Sequence, residues 1–347
     1  MGRMKSLIQL LSLCAFTLAA GAQDPQPAVP APNGPIHLNV EVTTHSGDPV
    51  PNLPQSAFTV LDNGKPQPIQ SFRAVTADQA KTSVMLVVDA VNIPYIQLAY
   101  ERNQIDAFLK ANDGKLAVPT SILIFTDTGT QTTGFTTNGN ELSQTFDQKE
   151  IGLRDLRRSA GFWGAAERMD ISLKTMEAIL ERARSLPGRK VILWVSPGWP
   201  LLSGPAVQLT FNQEQSFFHT IVAISNVVRE GDITIYAVDP LGAVESPGRT
   251  FYYEEFLKGV SKPSQVYPGD VGLQVLAVQS GGLVLTGSND IRALLQHCIS
   301  DTRTFYEITY APPPSDAHDE YHKVEVRVAA PDAKARTLQG YYGQPSH

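Results

Sequence analysis

Cysteine is almost missing from this chain: among 347 residues only Cys14 and Cys298 carry a thiol. A disulfide framework is thereby excluded, and stability has to come from a buried core, for which the length is ample. No basic stripe is present either. Lys and Arg number 28 against 34 Asp and Glu, a formal net charge of −6, and with no zinc-finger or RNA-binding spacing nucleic acid is excluded as a partner. Glycine never gathers into a phosphate-cradling loop, and no Gly-x-Ser-x-Gly elbow occurs. Beyond the first two dozen residues no apolar run reaches the length of a membrane helix.

The start of the chain explains the one long apolar run. MGRMKSLIQLLSLCAFTLAAGAQ places Arg3 and Lys5 before Leu7 to Ala19 and small residues at Ala20 and Ala22, the order of a secretory signal peptide over residues 1–22. Its removal takes Cys14 and two positive charges, leaving a formal charge of −8. The expectation is a secreted or periplasmic protein with no membrane span once the leader is cleaved. Residues 23–35 are proline-rich and read as a linker. Cys298 shares one helical face with Ile291, Leu294, Leu295 and Ile299, which makes it a small core residue rather than a reactive thiol.

Two kinds of strand follow. IHLNVEVTT alternates Ile36, Leu38, Val40 and Val42 with polar residues, as a half-buried strand does. AFTVLDNGKPQPIQSF reads as strands around an Asn63-Gly64 turn. SVMLVVD, PTSILIFTD, KVILWVS and DITIYAVD are instead continuous apolar runs suited to strands buried on both faces. Helical stretches separate them: about 95–109, a stripe from Asp170 as N-cap to Pro187, FNQEQSFFHTIVAISNVVRE, VGLQVLAVQSGG, and the Cys298 helix. GTQTTGFTTN returns as an edge hairpin after the second run. RTFYEITYAPP, HKVEVRVAA and ARTLQGYY revert to the first kind of strand. The predicted fold is α/β, a doubly wound, mainly parallel, Rossmann-like sheet (81–301) inserted in a small β domain formed by the N-terminal (36–80) and C-terminal (302–347) segments.

The opening SGDPVPNLPQSAFTVLDNGKPQPIQSF, the VVDAVNIP turn, PGRKVILWVSPGWP, IYAVDPLG and a closing YEITYAPP with HKVEVRVAAP and GYY together resemble the von Willebrand factor A-related family described from acidobacteria. The resemblance covers nearly the whole mature chain. It implies a ligand face at the carboxyl ends of the strands, where A domains hold a divalent cation through an Asp-x-Ser-x-Ser turn, a distant threonine and a second aspartate. Carried over residue by residue, only the first acid remains, as Asp89. Val91 and Ile93 stand where the hydroxyls belong, Ser196 falls at the position of the second aspartate, and Ser172 is the nearest candidate for the threonine. One carboxylate among neutral hydroxyls does not displace water from Mg²⁺. The expectation is therefore no metal and no cofactor.

Candidate ligand-binding residues are Asp89 and Asn92 in the first turn, Ser196 and Trp199 after KVILWVS, and Asp239 after DITIYAVD. The carboxylates would accept hydrogen bonds and Trp199 would be an apolar anchor, although a group so placed could equally cover the sheet end. Asp89 could alternatively satisfy turn amides or cap the following helix. His318 and His322 lie four apart but within an expected exposed hairpin turn, and His297 lies on a solvated helix flank. The expected function is a non-catalytic binding module for another protein or an extracellular polymer, with the oligomeric state left open. Two alternatives stand beside it: a hydrolase using Ser196, and an envelope scaffold working through the β domain.

Overall fold

The computed structural model describes residues 34–77, 79–148, 161–200, 209–242 and 252–345. The leader and most of the linker lie outside the described residues, as do most of RDLRRSAGFW, Leu201 and Leu202. The four continuous apolar runs form the middle of a seven-stranded sheet: β5 (Thr82–Asp89), β6 (Lys115–Thr126), β9 (Arg189–Val195) and β10 (Ile233–Val238), with β7 (Gly129–Thr132), β8 (Thr136–Asn138) and β11 (Val284–Leu285) around them. Its order is β11-β10-β9-β5-β6-β7, and β8 also pairs with β6. All neighbours run parallel except β7 and β8, which return antiparallel on β6. Every residue of β9 and β10 is buried, because both faces are covered by helices.

One face carries α1 (Tyr95–Leu109), α2 (Gly139–Gln148) and α6 (Ile291–Asp301). Leu98, Ile105, Phe146, Leu295 and Cys298 pack there on Val84, Leu86 and Val88. Burial pushes the Cys298 thiol far above its ordinary pKa, so it stays protonated and inert. On the other face lie α3 (Gly161–Arg184), α4 (Phe211–Glu230) and α5 (Leu273–Gln279). Met176, Ile179, Leu180, Ile224 and Leu273 cover Met85, Val87, Ile192 and Trp194. A Thr210–Gln213 capping box opens α4.

The alternating segments build two antiparallel four-stranded sheets. The first has the order β14-β1-β12-β4, from β1 (Ile36–Thr44), β4 (Ile69–Val75), β12 (Phe305–Tyr310) and β14 (Ala333–Arg336). The second is β15-β13-β2-β3, from β2 (Phe58–Asp62), β3 (Lys65–Gln67), β13 (Glu320–Val328) and β15 (Gly340–Gly343). Ile36, Leu38, Val40 and Val42 meet Phe58, Val60, Val324 and Val326 in one core between them, so strands from both chain ends share each sheet.

Three local expectations need correction. The third helix begins at Gly161, not at Asp170, which lies inside α3 in an i,i+4 pair with Lys174 (2.7 Å); an acid that pairs along a helix resembles a cap in sequence. ARTLQGYY is not one strand but β14 and β15, in different sheets. His322 is not in an exposed turn. It belongs to β13 and is 2% exposed.

Where the parallel sheet meets the sandwich, a buried polar layer replaces apolar contact. Arg189 at the start of β9 pairs with Glu41 of β1, lies 4.4 Å over the Phe305 ring and reaches Thr234 Oγ1 at 3.3 Å. Beside it Arg336 of β14 pairs with Asp301 of α6, whose Oδ2 also accepts from the Tyr236 hydroxyl at 2.6 Å. Desolvation drives the Glu41 carboxyl upward, and Arg189 and Arg336 oppose it.

Candidate functional site

The carboxyl ends of β5 and β9 bring together residues distant in sequence. Asp89, the last residue of β5, is fully buried. Its Oδ1 accepts from the amides of Val91 and Asn92, each at 2.9 Å. Its Oδ2 accepts from Asn92 Nδ2 at 2.8 Å and from Ser196 Oγ at 2.6 Å. Burial raises the Asp89 carboxyl, while the bonds from Ser196, Asn92 and Val91 pull it back. Of the roles considered for Asp89, satisfying turn amides is present; the N-cap of α1 is Pro94, with no side-chain cap.

Asn92 joins this aspartate to α3. Its Nδ2 also donates to Ser172 Oγ at 2.9 Å, and that hydroxyl donates in turn to the Arg168 carbonyl at 2.8 Å. Both neighbours of the Asn92 nitrogen are acceptors, which fixes the orientation of the amide. One amide group thus bridges a carboxylate and a hydroxyl across two elements. Among the described residues no three His, Cys, Asp or Glu side chains are placed to hold a metal ion. The four donors already fill the lone pairs that a cation would need.

Ser196 follows β9 and is 1% exposed. Its proton goes straight to Asp89, its oxygen accepts from Gly198 N at 3.1 Å, and no histidine among the described residues is hydrogen-bonded to it. The turn there requires glycine: Gly198 has φ +94°, and a Cβ would come within 2.4 Å of Gln274 Nε2. Gln274 uses that nitrogen to bond the Pro197 carbonyl at 3.2 Å.

Trp199 does not project from this edge. It is 4% exposed and packs edge-on against Trp194, ring centroids 5.7 Å apart, so the exposed-anchor expectation is replaced by the covering one. An aromatic just past a strand satisfies both patterns, and the apolar floor offered by Trp194 and Phe125 decides for burial. Asp239 directly follows β10, two strands from β5, and is half-buried. Its Oδ1 accepts from Leu241 N at 2.9 Å. It shares the edge with Asp89, and among the described residues no hydrogen bond links it to the Asp89 cluster.

Glu101 escaped the sequence reading, since an acid within a helix reads as solvated. It lies on the buried side of α1, and among the described residues neither carboxyl oxygen has a partner. Desolvation first, and then the Asp89 charge, push its pKa well above the ordinary carboxylate value. The folded chain therefore holds this proton more tightly than the unfolded chain does. Stability gained that way is complete below the unfolded pKa, near 4.5, and is lost as pH climbs through the raised folded value. Glu101→Gln should remove that loss, so its melting temperature should gain on the parent as pH rises above the unfolded value near 4.5. A gap that stays constant as pH rises would contradict the assignment.

A second constellation, also unforeseen, sits in the sandwich. His322 Nδ1 bonds Asp62 Oδ1 at 2.8 Å, and its Nε2 bonds Ser315 Oγ at 3.0 Å. Asp62 Oδ2 accepts from the hydroxyls of Tyr310 (2.9 Å) and Tyr341 (2.7 Å). The order is that of a nucleophile, base and acid. However, a Cβ built on Gly343 would stand 2.0 Å from Ser315 Oγ and 3.2 Å from His322 Nε2. Strand β15 therefore covers the pair, and a substrate carbonyl has no approach from that side. The network ties the two sheets together.

No family model matches the sequence, and no curated protein matches it. Among solved structures, the pilus adhesin SpaC from Lactobacillus rhamnosus GG is similar at 8% identity and a TM-score of 0.34, over 85% of this chain and 49% of that one. The chain thus spans about half the length of that structure. At such a score the likeness carries no argument about function. No helix among the described residues is long and apolar enough to cross a membrane.

Proposed function

We propose that the chain is an exported, non-catalytic binding module in which a von Willebrand factor A-like α/β unit (81–301) is inserted in a β domain made by residues 36–80 and 302–347, and that it meets another protein or an extracellular polymer at the carboxyl edge of the parallel sheet without a metal ion. The observation carrying this reading is the filling of Asp89 by Val91 N, Asn92 N, Asn92 Nδ2 and Ser196 Oγ. A carboxylate satisfied from within needs no cation, and the turn it holds is rigid enough to present half-buried Asn92. Asp239 contributes a carboxylate further along the same edge. Trp199 supports the edge from beneath.

Photocross-linking tests the placement. A photoreactive residue at Asp239, in the chain secreted by its own host, should capture a partner. The same group at exposed Arg73 on β4 should not. Capture from Arg73 alone would move the working surface to the sandwich, as the scaffold alternative requires. Covalent labelling of Ser196 by a fluorophosphonate would contradict the absence of catalysis.

A further inference from the structure

In the sandwich, β13 is covered by β15 only along its first part. Residues 320–323 pair with β15, and Val324 N donates to Gln339 O at 2.9 Å. In a continued antiparallel ladder Gln339 N would return a bond to Val324 O. It donates instead to Gln279 O at the end of α5, at 3.0 Å. The chain just before it is also held by the α/β unit. Arg336 pairs with Asp301 and donates to the Gly281 carbonyl, and a Cβ on Gly281 would stand 2.7 Å from the Thr337 carbonyl carbon. Residues 335–339 are thereby drawn off β13, and a cleft of about 520 Å³ opens between them and residues 323–326.

Strand alternation fixes what this cleft offers. Lys323 turns its backbone away, toward β2: its N–H reaches Asn63 Oδ1 at 2.9 Å and its carbonyl accepts from Asn63 N at 2.8 Å. Ala329 does the same at the other end, its N–H reaching Ala57 O at 2.8 Å. Bonds to β2 thus run through the odd-numbered residues, and Val326 and Val328, in step with Val324, aim their N–H and C=O at the opposite edge. Among the described residues neither of those two backbones has a hydrogen-bond partner there. Val324 O, Val326 N and O, and Val328 N form the row of acceptors and donors that an added strand completes.

Charge selects the occupant. Lys258 and Lys323 line the cleft, are exposed, and make no ion pair among the described residues. Glu325 on the same wall is spent on Arg327 at 2.6 Å, and Arg336 is spent on Asp301. The unspent charge is therefore positive. We propose that the β13 cleft receives an acidic, extended segment of a partner protein, added as a strand beside residues 324–328 with its carboxylates against Lys258 and Lys323. Alternate residues of that segment share a face with Val324 and Val326, which point into the sandwich core, and are apolar. This surface is separate from the carboxyl edge of the parallel sheet and does not depend on it.

The test uses ¹⁵N-labelled mature chain and three capped hexapeptides: valine alternating with glutamate, valine alternating with lysine, and the glutamate peptide N-methylated at its valines. Valine N–H groups are the ones that face β13 in the proposed pairing, so methylation removes the ladder donors. The expected result is saturable slowing of amide hydrogen exchange at Val326 and Val328 with the glutamate peptide, while Lys323, already bonded to Asn63, keeps its rate. The lysine and methylated peptides should bind about tenfold more weakly. Lys258→Glu with Lys323→Glu changes only exposed side chains, so the fold is retained, and the preference should turn to the lysine peptide. Unchanged exchange at Val326 in millimolar glutamate peptide overturns the proposal, as does equal binding of the lysine or the methylated peptide. A Val326 amide already protected without peptide, and released by dilution or by deleting residues 23–33, would give the cleft to a second copy or to the chain's own linker and would equally overturn it.

Discussion

Arg189→Ala is expected to lower unfolding stability by about 3–5 kcal/mol, because it strands a buried charge. Arg189 and Glu41 are each 2% exposed in their side chains, where water screens nothing. Removing the guanidinium leaves Glu41 inside the joint between the parallel sheet and the sandwich, with its nearest alternative cation, Arg336, already engaged by Asp301 and the Gly281 carbonyl. The packing of the guanidinium on Phe305 is lost as well. The comparison that isolates charge is the double variant Arg189→Met with Glu41→Leu. Its packing is apolar and no ion is left behind, so most of the loss should return. Urea unfolding of the parent, the single variant and the double variant measures this. A single variant within about 1 kcal/mol of the parent would show that water reaches the pair.

Asp62→Ala should be comparably damaging. Three buried groups donate to this carboxylate, from His322, Tyr310 and Tyr341, and the substitution removes their shared acceptor, leaving the two tyrosine hydroxyls only each other. At about 1–3 kcal/mol for each orphaned group, with partial relief by water, a loss of about 3–5 kcal/mol is expected. Asp62 ends β2, Tyr310 ends β12, and His322 and Tyr341 come from β13 and β15, so the network joins the two sheets at one end of their core. Ser315→Ala removes only the outermost member and should cost much less. Near-equal losses from the two variants would mean that Ser315, not Asp62, organises the cluster.

The contrast between the two sites shows what the chain sequence made legible. Continuous apolar runs marked β5, β6, β9 and β10, and alternation marked β1, because burial on two faces or one leaves a periodic trace. Asp89 could be singled out because it follows such a run directly. Its partners Ser172 and Ser196 were visible only through the family resemblance, and their hydrogen bonds only after folding, since nothing local in ERMDISLK announces that Ser172 faces a turn 80 residues earlier. Glu101 was passed over because charged residues on helices are solvated as a rule, and its burial is decided by what packs above it. His322 was misplaced because a polar turn-like segment, APPPSDAHDE, runs into β13. Its real partner, Asp62, lies 260 residues away. Trp199 illustrates the opposite error: an apolar group that could cover or project was expected to project as an anchor, and it covers.

Hydrogen-bond donors of its own chain satisfy both oxygens of Asp89 and leave no lone pair for a cation. Titration of the metal-free mature chain with Mn²⁺, followed by the electron paramagnetic resonance of the free ion, tests it most directly. The expected result is no stoichiometric uptake up to millimolar metal, with Asp89→Asn indistinguishable from the parent. Uptake of one ion per chain, abolished by Asp89→Asn, would contradict it.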